Sequence, residues 1–260
     1  MSRFTIHQTA IVHPNAELEG EVEIGPYCLV GEHVRIGRGT RLLGHVVVNG
    51  RTTIGEDVTI HPFATVGTPS QDRKAVPGEV SFTTIGDRTV LREYVSVQRG
   101  TGENAVTMIG TDSLLLAYVH VAHNCVVGNF VTMSNLAQLA GHVRVEDHAS
   151  IGGATGVHQF VRIGRYSFIG GMSRLARDVP PFFLIEGNPP KVFGLNGVGL
   201  RRANFSTEAL SELKACYKTL YHSGRNVSQA VAVLSETVTT EAGRELLAFV
   251  KSSSERGIVK

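Results

Sequence analysis

The sequence predicts a mainly β chain: a parallel β-helix of hexapeptide repeats followed by a small α-helical C-terminal domain. Three observations predict it. Aliphatic residues or Met hold every sixth position from Ile6 to Val66, and again from Ile109 to Leu175. The fifth place of each six is small, as at Cys28, Ala64, Ser113, Cys125, Ala137 and Ala149. The rhythm stops at Pro180-Pro181, and helical spacing replaces it beyond Gly187-Asn188-Pro189-Pro190. A fixed internal period outranks local propensity as a guide to architecture. An amphipathic helix repeats near 3.6 residues and a half-buried strand near 2, and a period of six fits neither.

Each six reads as a very short strand and a turn, with the first and fifth side chains pointing inward. One such unit cannot bury its apolar face alone. Three sides make a closed coil of 18 residues, and stacked coils share main-chain hydrogen bonds and one aliphatic core. Gly recurs at the second place, at Gly25, Gly31, Gly37, Gly55, Gly67, Gly86, Gly110, Gly128, Gly152, Gly164 and Gly170. Gly there predicts positive φ at a tight corner.

Two stretches break the rhythm. Val66 and Ile85 are separated by 19 positions where six would do, which predicts an inserted loop near 68–84 carrying Asp72, Arg73 and Lys74. The segment Gln98-Arg99-Gly100-Thr101-Gly102-Glu103-Asn104 predicts a second loop near 98–108. Long excursions from a rigid scaffold are generally functional or disordered. The solenoid is assigned to residues 1–190 and the helical domain to 191–260. Ser206-Thr207-Glu208 marks a helix start, with a Ser cap and an acid in the first turn. Leu210, Leu213, Tyr217, Leu220 and Tyr221 continue it at helical spacing. Further helices are expected at Ser228–Thr237 and Glu241–Ser253, ending in a frayed polar tail. Such a domain would cap the open edge of the last coil, which is otherwise an aggregation hazard.

Composition narrows the function classes. A net charge of +2 gives no reason to expect nucleic acid as a partner. No apolar run is long enough to span a bilayer, so stable membrane insertion is not expected. The N-terminus lacks the apolar centre of a signal peptide. Cys28, Cys125 and Cys216 are too few and too scattered for a disulfide framework, and two of them fall at the small, buried fifth place. A cytoplasmic location follows as the expectation.

Coil arithmetic then places chemistry. Eighteen residues on from His123 is Gly141, and eighteen further is Gln159; Asn124, His142 and Phe160 form the neighbouring column. Histidine is the side chain suited to move protons near neutral pH. A Gly above it leaves a backbone N–H free to approach a developing oxyanion. The competing reading is that surface turns tolerate His, and that His120, His123, His142 and His158 cluster by chance among the 11 histidines.

At these residues the chain resembles the UDP-N-acetylglucosamine O-acyltransferases that begin lipid A synthesis, within the hexapeptide-repeat acyltransferases. The matching motifs are His120-Val121-Ala122-His123-Asn124-Cys125, Leu139-Ala140-Gly141-His142, Ile151-Gly152-Gly153, Val157-His158-Gln159-Phe160 and Asp178-Val179-Pro180-Pro181. Gln71-Asp72-Arg73-Lys74, Arg99-Gly100-Thr101 and Gly199-Leu200-Arg201-Arg202 extend the match along the chain. The resemblance implies a left-handed β-helix assembled as a homotrimer, with acyl carrier protein and a UDP-sugar as partners. It implies His123 as general base and Gly141 N–H as oxyanion donor, with Asn124 beside the base. Asp72, Lys74, His120, His142, His158, Gln159, Asn196 and Arg202 match positions that bind or orient substrate. Gly171 matches the family's acyl ruler, so an open groove and a fairly long acyl chain are expected, with Phe168 able to narrow it. No cofactor and no metal are implied, since phosphopantetheine arrives on the acyl carrier protein.

Two departures stand out. Many relatives carry Asp where this chain has Asn124, which can accept a hydrogen bond from imidazole but cannot offset an imidazolium charge. Val198-Gly199 replaces a polar or acidic residue near the nucleotide-contacting segment of some relatives. Rival readings are the same chemistry on a 3-amino UDP-sugar, a coenzyme A-dependent hexapeptide acyltransferase, and a non-catalytic scaffold. A zinc enzyme on this fold would use a His-x4-His pair, and no His here has another five residues on.

Overall fold

The computed structural model of the protein describes residues 5–252 and 256–260. Strands of mostly two residues wind into three sheets of 11, 9 and 8 strands, parallel throughout the coils, each strand pairing with the next coil. The register within regular coils is 18 residues, as in His120↔Gln138 and Gln138↔Gly156. Across the second interruption it lengthens to 24, so Ser96 pairs with His120.

The first and fifth places fill the core. Ile36, Leu42, Ile60, Leu91, Leu115 and Met133 are fully buried, as are the smaller Cys28, Ala64, Val119, Cys125 and Ala137 between them. Each first-place side chain contributes about 1.5–3 kcal/mol through burial. Packing weakens at the open N-terminal coil, where the first-place Ile6 is exposed and Val12 and Leu18 are only half-buried.

The corners correct the expectation about glycine. Of the second-place glycines only Gly67 has positive φ; the left-handed conformation falls instead at the fourth place, at Tyr27, Phe63, Tyr94, Tyr118, Asn124, His142 and their equivalents. Second-place Gly answers to crowding between coils. A Cβ on Gly25 would lie 2.3 Å from the Leu43 carbonyl oxygen, and one on Gly86 would lie 2.6 Å from the Gly110 backbone. The fourth-place cost, about 1–2 kcal/mol for a non-Gly residue, is offset by hydrogen bonds down to the previous coil, such as Tyr118 N–H to Glu93 C=O at 3.0 Å. Ring stacking adds to this. Tyr27, His45, Phe63, Tyr94 and Tyr118 form one column with centroids 4.8–5.0 Å apart.

The chain leaves the solenoid through an antiparallel hairpin, Phe183–Gly187 and Pro190–Leu195, added to the edge of the largest sheet. Four helices follow: α1 (Gly197–Arg202), α2 (Thr207–Tyr221), α3 (Val227–Thr237) and α4 (Glu241–Lys251). Ser206 caps α2 by accepting from Ala209 N–H, and Asn226 forms a capping box with Gln229 on α3. Ser253, the expected end of the last helix, lies outside the described residues. The expected frayed tail does not hold for the final residues. Gly257 and Val259 pair with Asp178 through Asp178 N–H to Gly257 C=O (3.0 Å) and Val259 N–H to Asp178 C=O (2.9 Å). Ile258 and Val259 are buried, and their apolar side chains return the chain to the solenoid. No helix among the described residues is long and apolar enough to cross a membrane.

Candidate active site

The corner that follows strand His120–Val121 carries the site. A two-residue strand puts His120 on the outer face of its sheet and turns the chain at once, so His123 sits beside Asn124 at the positive-φ place. His123 is buried, with 5% of its surface exposed. Its Nδ1 lies 2.9 Å from Asn124 Oδ1, and its Nε2 lies 3.6 Å from the Asp72 carboxylate. Asp72 comes from the loop formed by residues 69–81, the first interruption. There its carboxylate accepts from the Lys74 N–H at 3.0 Å, and its own backbone N–H donates to Ser70 Oγ at 3.0 Å. The Lys74 side chain is exposed.

One coil up, Gly141 lies against the imidazole. A Cβ there would come within 2.5 Å of His123 Cε1 and Nε2, so only glycine admits the ring in this position. The inter-coil ladder uses the N–H of Ala140 (to Val157 C=O, 3.0 Å) and of His142 (to His123 C=O, 3.1 Å). Among the described residues the Gly141 N–H makes no backbone hydrogen bond, which leaves it available to an oxygen approaching His123.

The other histidines divide between the cluster and its surroundings. His142 meets His123 edge-on at 5.2 Å and stacks on Phe160 at 4.6 Å. Burial holds its pKa below the usual value, His123 pushes it the same way, and Asp72 opposes both. Burial, reinforced by His123, likewise lowers His120. A lowered pKa keeps each ring neutral, able to donate one hydrogen bond and accept one. His120 Nδ1 lies 2.7 Å from Ser96 Oγ on the preceding coil. The groove past His120 runs over Gln138, Ala140 and Gly156 to His158 and Arg174. His158 and Gln159 are both exposed, and His158 Nδ1 lies 3.3 Å from the Gln159 carbonyl oxygen.

Three expected residues stand apart. Gly171 is at a different corner, where a Cβ would lie 3.2 Å from the Gly153 carbonyl oxygen; Met172 beside it is 80% exposed. Asn196 caps α1, accepting from Gly199 N–H at 3.1 Å and donating to the Tyr166 carbonyl at 2.9 Å. Arg202 is exposed in the last turn of α1. Among the described residues neither Asn196 nor Arg202 forms a hydrogen bond or ion pair with the His123 cluster. The sequence assigns no role to Ser96, nor to Thr101 beyond its place in the Arg99-Gly100-Thr101 motif. Ser96 is hidden because the insertions spoil the 18-residue count, and Thr101 because it acts through its backbone, with Thr101 N–H donating to Asn124 Oδ1 at 2.9 Å. Among the described residues no group of three or more His, Cys, Asp or Glu side chains could hold a metal ion.

The arrangement offers a buried imidazole, a free N–H beside it and a carboxylate across from it, which suits proton abstraction coupled to addition at a carbonyl. Two family descriptions match the chain: bacterial transferase hexapeptide (six repeats) over residues 33–68, and the second domain of UDP N-acetylglucosamine O-acyltransferase over residues 178–259. The chain is 47% identical over 257 residues, 98% of its length and 99% of the relative's, to an acyl-[acyl-carrier-protein]–UDP-N-acetylglucosamine O-acyltransferase of Thermodesulfovibrio yellowstonii. It resembles the structure of LpxA from Acinetobacter baumannii at 41% identity and a TM-score of 0.94, covering 98% of this chain and 99% of that one. The UDP-N-acetylglucosamine acyltransferase of Francisella novicida matches at 32% identity and a TM-score of 0.95, covering 98% and 94%.

Proposed function

This chain belongs to the acyl-[acyl-carrier-protein]–UDP-N-acetylglucosamine O-acyltransferase family, and from that premise we propose that it moves a (3-hydroxy)acyl chain from acyl carrier protein to the 3-hydroxyl of UDP-N-acetylglucosamine, the first step of lipid A synthesis. His123 acts as general base. Its Nε2 takes the proton as the sugar O3 bonds to the thioester carbon, and the carbonyl π electrons move to oxygen. The Gly141 N–H meets that oxyanion. Collapse breaks the C–S bond, and the pantetheine thiolate leaves with the proton that His123 returns. The step as written forms no covalent enzyme intermediate.

The observation that carries the reading is the opposed pair of contacts on one imidazole: Asn124 at Nδ1, and an open Nε2 flanked by Asp72 at 3.6 Å. Asp72, 26% exposed at its side chain, stabilises the imidazolium as it forms and helps to hold the sugar. Lys74, His120, His142, His158 and Gln159 line the approach and hold the sugar nucleotide and the pantetheine arm, so that binding energy goes into orienting two reactants. Asn196 and Arg202 serve a site between subunits of a homotrimer, which fits their separation from His123 within one chain. The open corner at Gly171 sets acyl length; Gly171→Met should shorten the preferred chain, and an unchanged preference contradicts the assignment.

Substrate identity is tested by supplying acyl carrier protein and coenzyme A thioesters with UDP-N-acetylglucosamine or its 3-amino analogue, and reading the linkage by NMR. Ester formation at the 3-position from the carrier-protein thioester is expected. Transfer only to the amine changes the acceptor; transfer only from coenzyme A overturns the donor assignment.

A further inference from the structure

The two insertions reach His123 from opposite sides. The first supplies Asp72 at Nε2. The second, residues 99–105, grips Asn124. Thr101 N–H donates to Asn124 Oδ1 at 2.9 Å, and Asn124 Nδ2 donates to the Thr101 carbonyl at 3.2 Å. Turning the amide over would set NH2 against N–H and oxygen against carbonyl, exchanging two hydrogen bonds for two repulsions. The amide therefore has one orientation. In it, the atom 2.9 Å from His123 Nδ1 is Oδ1, which can only accept. The Asp72 carboxylate is also an acceptor, but at 3.6 Å from Nε2 it lies beyond hydrogen-bond distance, so the 2.9 Å contact at Nδ1 decides: neutral His123 carries its proton on Nδ1 and keeps the lone pair on Nε2.

Thr101 is itself held in place. Arg99 N–H donates to Thr68 C=O at 3.0 Å, Gly100 N–H to Phe82 C=O at 3.3 Å, and Gly102 N–H to the Glu79 carboxylate at 3.0 Å. A Cβ on Gly100 would lie 2.5 Å from the Ala105 backbone, so the tight path of the loop requires glycine there. On the other side, Asn124 N–H donates to Thr107 Oγ1 at 2.8 Å, which fixes the backbone from which the amide projects.

We infer that Thr101, through its backbone alone, is the positioning residue that selects the Nδ1–H tautomer of His123, with the Asn124 amide as the link. The inference rests on the reading of His123 as base. It also gives Asn124 a reason of its own. A carboxylate at 124 would still accept from Nδ1, but its second oxygen would face the Thr101 carbonyl where Asn124 now donates across 3.2 Å. Asn thus serves both the ring and the loop.

The test is long-range ¹H–¹⁵N NMR of histidine-labelled, ligand-free protein at a pH where His123 is neutral, with His123→Ala used to identify its signals. Wild type should show protonated Nδ1 and unprotonated Nε2 at His123. The Nε2–H form, or a mixture, overturns the inference. Asn124→Leu should lose the preference and lower kcat on the order of 10²-fold with a smaller effect on KM, as misorientation of a catalytic group does; an unchanged tautomer would also overturn it. Where Asn124→Leu fails to fold, Asn124→Asp decides. It should retain Nδ1–H and speed hydrogen exchange at the Thr101 amide, and unchanged exchange would show that the Asn amide does not hold the loop. Full activity of His123→Ala would remove the functional reading while leaving the tautomer result standing.

Discussion

At His123 the proposed chemistry depends on a few ångströms of packing on each side of one ring. Gly141 lets the imidazole lie against the next coil without a Cβ clash, and its N–H, assigned to the oxyanion, falls at the third place of the six, outside the inter-coil ladder. Gly141→Ala should displace the ring, because its methyl would sit 2.5 Å from Cε1 and Nε2. Loss of kcat on the order of 10²-fold is expected, with the far-UV circular dichroism unchanged; kcat within a factor of two of wild type would mean that the ring does not need this clearance. Burial, reinforced by His123, lowers the pKa of His120 and His142, which under the proposed function suits them to hydrogen-bond substrate rather than to act as fixed charges.

The repeating element explains both what was legible in the sequence and what was not. Inward first and fifth places follow from side-chain size alone, so the period of six could be read directly, and coil arithmetic then set Gly141 against His123. Second-place Gly misled because two properties of glycine, freedom at positive φ and absence of a Cβ, predict the same residue. The structure uses the second, at Gly25 and Gly86, while Tyr27 and Phe63 carry the positive φ. Thr101 and Ser96 were illegible for another reason: their partners cross the insertions, where sequence separation no longer reports stacking. In the helical region Glu212 makes a comparable long-range link, accepting from the backbone and hydroxyls of Thr239 and Thr240 at the start of α4. Burial pushes its pKa up, but these donors outweigh it and bring it down from 4.5 to about 2. A depressed carboxyl contributes stability that is present above its unfolded pKa and lost as pH falls toward its folded one. Glu212→Gln should therefore destabilise the protein near neutral pH, with the gap to wild type closing between pH 4.5 and about 2. Urea unfolding across that range checks it; a gap independent of pH contradicts the assignment.

At the scale of the whole molecule, two excursions from the solenoid converge on one histidine, while Asn196 and Arg202 lie apart from it at the cap and last turn of α1. Under the proposed function, joining these parts in one site calls for a neighbouring subunit. Co-refolding His123→Ala with Arg202→Ala subunits tests this. Random assortment in a cyclic trimer leaves roughly a quarter of the sites with both residues intact, so the mixture should exceed either variant alone. Activity no higher than the mean of the two parents would place both residues in one chain's site. The central claim, that His123 is the base for acyl transfer, is tested most directly by kcat at saturating acyl carrier protein thioester and UDP-N-acetylglucosamine, wild type beside folded His123→Ala. The account predicts a loss of about 10²–10⁴-fold. A variant that turns over at close to the wild-type rate would contradict it.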